Sequence, residues 1–191
     1  IVGGGPSALQ QNLELLRGRR VIAVNARVIE VPWADFVFGM DKTFFDNYRR
    51  RLEAFPGRIV TTVSAANLAW RGPLIVGKAT APGHDDRRCV HTGCTSLAGA
   101  IDLARWLGAT RLVLLGADGR DTPEARAHHK ARYPTHPHRQ HRYRDWRSEL
   151  KRVAAAMAAR GIDIVNASPG SAYADFWPEV RLEEVVARCP A

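Results

Sequence analysis

Long apolar runs are missing from this chain of 191 residues. None approaches the roughly eighteen residues that a membrane-spanning helix needs, so no membrane span is expected. Cysteine is scarce: Cys89, Cys94 and Cys189 are odd in number and show no Cys-x-x-Cys spacing. That argues against a disulfide framework and against a cysteine-based zinc site, and a reducing, cytoplasmic location is expected. No signal peptide is expected either, and the missing initial Met leaves room for a few native residues ahead of Ile1. Acidic residues are outnumbered, with 19 Asp and Glu against 28 Lys and Arg, for a formal net charge of +9. Such a surplus suits phosphates, polyanions or an acidic acceptor, without choosing among them. Two phosphate-binding signatures are also lacking, since neither GxGxxG nor GxxxxGK[ST] occurs.

What is present fits one folded domain, 1–191, with 46% hydrophobic and 25% charged residues. Apolar runs bounded by turn residues predict strands at "RRVIAVN", "ADFVFGMD", "GRIVTTVS", "GPLIVGK", "TRLVLLGAD" and "IDIVNASP". Helical patterns alternate with them: "SALQQNLELLRG", "TSLAGAIDLARWLGA" and "RDWRSELKRVAAAMAARG", each opening on polar residues and stopping at or near a glycine. The alternation predicts an α/β fold with a mostly parallel central sheet and helices on both faces. One long segment, 119–143, fits neither pattern. Ten Lys and Arg lie between Arg120 and Arg152, together with five of the seven histidines, so 119–143 reads as a basic lid or insertion.

In such folds ligands bind at the carboxyl ends of the strands. The first strand ends in Gly3-Gly4-Gly5-Pro6-Ser7, where glycines permit close backbone approach and the helix start offers N–H groups to an anion. A tight turn is the plainer alternative. His91-Thr92-Gly93-Cys94-Thr95-Ser96 is a second small, polar helix entry, readable as an anion site at Thr92 and Gly93 or as an N-cap. Asn25, Asp41 and Asp118 stand at other strand ends, and an acid such as Asp118 can bind a metal, a ribose hydroxyl or a substrate, or simply cap the next turn. Histidines of the lid suit proton removal from a hydroxyl at neutral pH. His129 and His136 flank "YPT" and are the expected pair; zinc or nickel binding by the histidine-rich stretch lacks a fixed spacing. Trp146, Leu150 and Val153 share a helical face, which predicts packing of the long helix on the core.

The segments "IVGGGPSA", "VIAVNARV", "ADFVFGMD", "HTGCTSLAGAIDLARWLGATRLVLLGAD" and "GIDIVNASPGSA" follow one another in a familiar order. The chain resembles the bacterial family-42 sialyltransferases and the prokaryotic and phage proteins related to 6-hydroxymethylpterin diphosphokinases. The resemblance implies a Rossmann-like nucleotide-binding fold. By its motifs, Gly3, Gly5, Pro6, Ser7 and Asn25 would hold a nucleotide, Thr92 and Gly93 its phosphate, and a lid histidine among 128, 129, 136, 138 and 141 would act as base. Gly4 stands where the sialyltransferases carry Asn, which removes one polar nucleotide contact. The expected function is a nucleotide-dependent, glycosyltransferase-like transfer from a nucleotide-activated donor to an acceptor hydroxyl. Asp41 and Asp118 would serve ribose, acceptor or metal. The alternatives are a Mg²⁺-dependent diphosphokinase acting on a small hydroxymethyl compound, and a non-catalytic nucleic-acid-binding module.

Overall fold

The computed structural model describes residues 1–64, 67–68, 72–132 and 142–188. Strands β1 (Ile22–Val24), β2 (Phe36–Gly39), β3 (Arg58–Thr61) and β4 (Leu74–Ile75) pair in that order, all parallel. β5 (Gly77–Lys78) and β6 (Cys89–Val90) form a small parallel pair, and β7 (Arg111–Leu114) pairs parallel with β8 (Asp163–Asn166). Val2 joins the larger groups. Its N–H donates to Ile22 O and its carbonyl accepts from Val24 N–H, both at 2.9 Å, while Gly3 N–H donates to Leu115 O at 2.6 Å. Val2 is thus bridged in parallel to Ala23 on one side and to Leu115 on the other. Chain order runs outward from this point in both directions, to β1, β2, β3 and β4 one way and to β7 and β8 the other.

Alternation along the strands divides the core in two, because successive side chains of a strand point to opposite faces. Ile22, Val24, Phe38, Val60, Leu112, Leu114 and Ile164 pack with helices α2 (Ser96–Trp106) and α4 (Arg142–Ala158). Ala23, Val37, Ile59 and Leu115 pack with Phe44, Phe45 and Leu52 of α1 (Lys42–Glu53) and Leu182 of α5 (Leu182–Arg188). Each fully buried Leu, Ile or Phe in these layers contributes about 1.5–3 kcal/mol. The mixed α/β architecture with parallel strands is as expected, and no helix among the described residues is long and apolar enough to cross a membrane.

Helix α2 shows why the sequence folds this way locally. Thr95 caps it by accepting from Leu97 N–H at 3.2 Å, and nine of its residues, from Ser96 to Ala104, are buried. Gly99 lies where a Cβ would collide with the Phe38 ring, so its small size lets the helix press against β2. The helix stops at Leu107, followed by Gly108 at φ +87°. α4 buries Leu150, Val153 and Met157 and begins two residues before "RDWRSEL".

Three expectations need correction. The first predicted helix, "SALQQNLELLRG", is not α-helical: it forms two 3₁₀ turns, Pro6–Gln10 and Leu13–Leu16. Gln11 between them is extended, its side chain donates to Ala167 O, and Asn12 caps the second turn at Glu14 N–H. "GPLIVGK" is two short strands, β4 and β5, rather than one. Within the predicted lid, Pro123–Arg132 forms helix α3. Thr122 Oγ1 accepts from Ala125 N–H at 3.2 Å, with Pro123 next to it, a start that "TPEA" carries in its residues.

Candidate functional site

The carboxyl ends of the strands open into a cleft of about 290 Å³. Gly4, Gly5 and Pro6 form one wall, with Asn25 and Arg27 after β1, Asp41 after β2, and Gly116 to Arg120 after β7. Cys94 to Leu97, at the entrance to α2, also line it, as do His128, His129 and Arg132 of α3 and Arg142, Tyr143 and Trp146 of α4. Four arginines (27, 120, 132 and 142) therefore meet two carboxylates, Asp41 and Asp118, around one space. The balance favours an anionic occupant.

The opening glycine run answers to its surroundings. Gly5 has φ −70°, and Gly3 and Gly4 are not among the glycines at positive φ, so the turn does not use left-handed backbone. Close approach is what demands glycine. A Cβ on Gly3 would lie 2.9 Å from Gly116 O, and one on Gly5 would lie 2.5 Å from Asp118 Cγ, whereas Gly4 faces open space. Of the donors expected to receive a phosphate, all but Gly4 N–H are already in use among the described residues. Gly5 N–H donates to Gly116 O at 2.8 Å, Ser7 N–H to Asp118 Oδ2 at 3.0 Å, and the Ser7 hydroxyl to Asp118 Oδ1. Ser7 itself is buried behind the cleft wall. The carboxylate of Asp118 thus occupies the place foreseen for a bound anion.

On the acceptor side the turn is held by Arg27, which is 2% exposed. Its Nε donates to Gly3 O at 2.7 Å, and its Nη2 donates to Gly4 O at 3.0 Å and to Gly5 O at 2.6 Å. The same Nη2 lies 3.1 Å from His128 Nε2. Glu30 pairs with both Arg27 and Arg132, and Tyr48 OH donates to Arg132 O at 2.9 Å. These contacts fasten α3 to the glycine turn. Arg27 was not foreseen; a single arginine within "NARVI" carries no signal for a buried clamp. Burial, reinforced by Arg27 and Arg132, lowers the His128 imidazole to about 4, with Glu30 and Asp118 pulling weakly the other way.

Asn25 is the one non-glycine residue at positive φ among those described, at +53°, a conformation Asn tolerates better than most side chains. Its Nδ2 donates to Ser96 Oγ at 3.3 Å, tying the end of β1 to the α2 entrance, and its Oδ1 is buried without a hydrogen bond among the described residues. Asp41 is exposed at the rim, and its carboxylate does not cap α1. His129 lines the cleft; His136, the other expected base, lies outside the described residues, as do His138 and His141.

Thr92 and Gly93 are not brought to the cleft. Thr92 is 3% exposed, and Gly93, at φ +50°, abuts the Glu149 side chain. Their turn is held from behind: His91 N–H donates to Asp102 Oδ2 at 2.8 Å, and its ring sits between Ala79 O and the Glu149 carboxylate. The next residues, Cys94, Thr95, Ser96 and Leu97, are the ones that face the space. Burial raises the Cys94 thiol above its ordinary pKa, with Glu149 and Asp145 adding to the effect. Trp146, expected to anchor α4 in the core, lines the cleft instead, edge-on to Tyr143 at 4.9 Å, and its Nε1–H is buried without an acceptor among the described residues. Tyr173 also lines the cleft, and burial raises its hydroxyl well above the usual tyrosine value. No group of three or more His, Cys, Asp or Glu among the described residues is arranged to hold a metal ion.

Comparison with known proteins gave no matching family model, no matching curated protein and no matching solved structure.

Proposed function

We propose that this chain is a nucleotide-dependent transferase, glycosyltransferase-like, working in a Rossmann-like α/β domain. The observation that carries the reading is the cleft's position. It lies at the carboxyl ends of parallel strands beside Val2, where chain order turns from β1 to β7. Open α/β sheets bind ligands in that crevice. The arginine side supports a phosphorylated ligand, and Tyr143 and Trp146 supply aromatic surface for a base or sugar. In this reading the phosphates sit between the α2 entrance and Arg142, and Asn25, which lines the cleft after β1, faces the base or ribose. His129 accepts the proton of the acceptor hydroxyl, with Asp118 and Asp41 orienting ribose or acceptor.

A thermal-unfolding panel tests this. A bound nucleotide at a hundred times its Kd adds about 2.7 kcal/mol of stability. Protection by nucleotide sugars without added metal is the expected result; no protection by any nucleotide ends the reading. The presence of both Asp41 and Asp118 in one cleft favours a second reading, diphosphate transfer from ATP, because Mg²⁺ is commonly held by one or two carboxylates together with substrate phosphates. Those two side chains would hold the ion, which would neutralise phosphate charge. Protection by ATP only when Mg²⁺ is present selects this second reading. Steeply salt-dependent binding to DNA or RNA, with no response to free nucleotides, would select a nucleic-acid module instead.

A further inference from the structure

The lid histidine next to the expected base has a feature of its own. His128 Nε2 lies 3.1 Å from Arg27 Nη2. A guanidinium has only donors, so the ring nitrogen facing it must accept. Nε2 then carries no proton, and the single ring proton belongs to Nδ1. A second ring proton would set one N–H against another beside a fixed positive charge. Arg27 is buried and fixed by Nε on Gly3 O, and its Nη2 turns two N–H groups toward three acceptors, Gly4 O, Gly5 O and His128 Nε2, so one of them is shared. His128 Nδ1 makes no hydrogen bond among the described residues, and the ring lines the cleft.

We propose that Arg27 fixes His128 as the neutral Nδ1–H tautomer, and that this N–H is a ligand-binding donor for an oxygen of a phosphate group in the cleft. The inference rests on the phosphate-binding reading above and deepens it: His128 is a recognition residue and takes no proton during transfer. The charged groups around it agree with a ring that stays uncharged. Arg27 and Arg132 face it and oppose a second proton, while Glu30 is occupied with those two arginines and Asp118 with Ser7. A neutral donor with an enforced tautomer binds an anion without losing strength when pH rises through the usual histidine range.

The test uses the full chain and inorganic pyrophosphate as probe. Long-range ¹H–¹⁵N spectra at pH 7 should show His128 with Nδ1 protonated and Nε2 bare, and pyrophosphate should shift the Nδ1 resonance. His128→Asn keeps an N–H near the Nδ1 position and should bind pyrophosphate within about threefold of the natural protein, whereas His128→Phe should weaken it about tenfold. An Nε2–H tautomer, a doubly protonated ring, or an Nδ1 resonance that pyrophosphate leaves in place would overturn the proposal. If His128→Phe fails to fold, the spectra of the natural protein decide alone. Failure of every nucleotide in the thermal panel removes the nucleotide reading, while the pyrophosphate titration still judges His128.

Discussion

The turns Gly3–Ser7 and Thr92–Ser96 look alike as text, two small glycine-bearing entries to a helix, yet they do different work. Leu115 O and Gly116 O, just past β7, and Asp118 take the Gly3, Gly5 and Ser7 N–H groups of the first, Gly4 N–H alone lacks an acceptor among the described residues, and Arg27 donates to its carbonyls. It opens only a five-residue 3₁₀ turn. The second turn starts an eleven-residue α-helix, and Cys94 to Leu97 reach the cleft. Thr95 satisfies Leu97 N–H by its side chain and Ala98 N–H by its carbonyl, which leaves Ser96 N–H without an acceptor among the described residues. Residues that invite an anion bind one only where the fold leaves their donors unpaired. The glycine turn is a structural knot, and the α2 entrance is the open end.

The largest effect should come from Arg27→Ala, which removes a buried cation together with the donors of three carbonyls and the arginine partner of Glu30 and His128. Urea unfolding should show a loss of about 3–5 kcal/mol, as for other broken buried charge networks. Next comes a contrast within the glycine run. Gly5→Ala should cost about 1–3 kcal/mol because its methyl collides with Asp118, and Asp118→Ala in the same chain should return part of that loss. Gly4→Ala, which meets open space, should change stability by less than about 0.5 kcal/mol. Equal costs at the two positions would dissolve the knot.

Cys94→Asp places a carboxylate at the open end and should weaken nucleotide binding about tenfold, or about 1.4 kcal/mol, with little change in Tm. The smallest effect is on pH dependence. His128 sits near 4 in the folded chain and near 6.5 unfolded, so the unfolded chain binds more protons between those values. Its contribution to stability is therefore full above about pH 6.5 and is lost as pH falls toward 4. Denaturant midpoints measured from pH 4 to 8 should fall less steeply on the acid side in His128→Gln than in the natural protein.

Elements whose signal is local were readable in the chain. "RLVLLG" and "DIVN" are buried strands because their apolar runs end at turn residues, and α2 and α4 declare themselves by Thr95, Gly108 and Gly161. The N-terminal segment misled because its conformation is decided at a distance: Ser7, a plausible cap, spends its hydroxyl on Asp118, 111 residues on, and Gln11 reaches Ala167. The same limit applies to the site. Gly4, Gly5, Pro6, Asn25, Asp41, Asp118 and His129 do line one cleft, since strand ends converge in any parallel sheet. Arg27 and Trp146 were missed or misplaced because burial of an arginine, or exposure of a helix face to a cleft, depends on which elements pack nearby.

The most direct measurement is a ¹H–¹⁵N amide map of the chain titrated with the nucleotide that protects it best. The Ser96 and Leu97 amides should move most, together with Arg142, while those of Gly5 and Ser7 stay within the scatter of the core. Large shifts at Gly5 and Ser7 with a silent α2 entrance would mean that the ligand displaces Asp118 from the glycine turn, and would contradict the account.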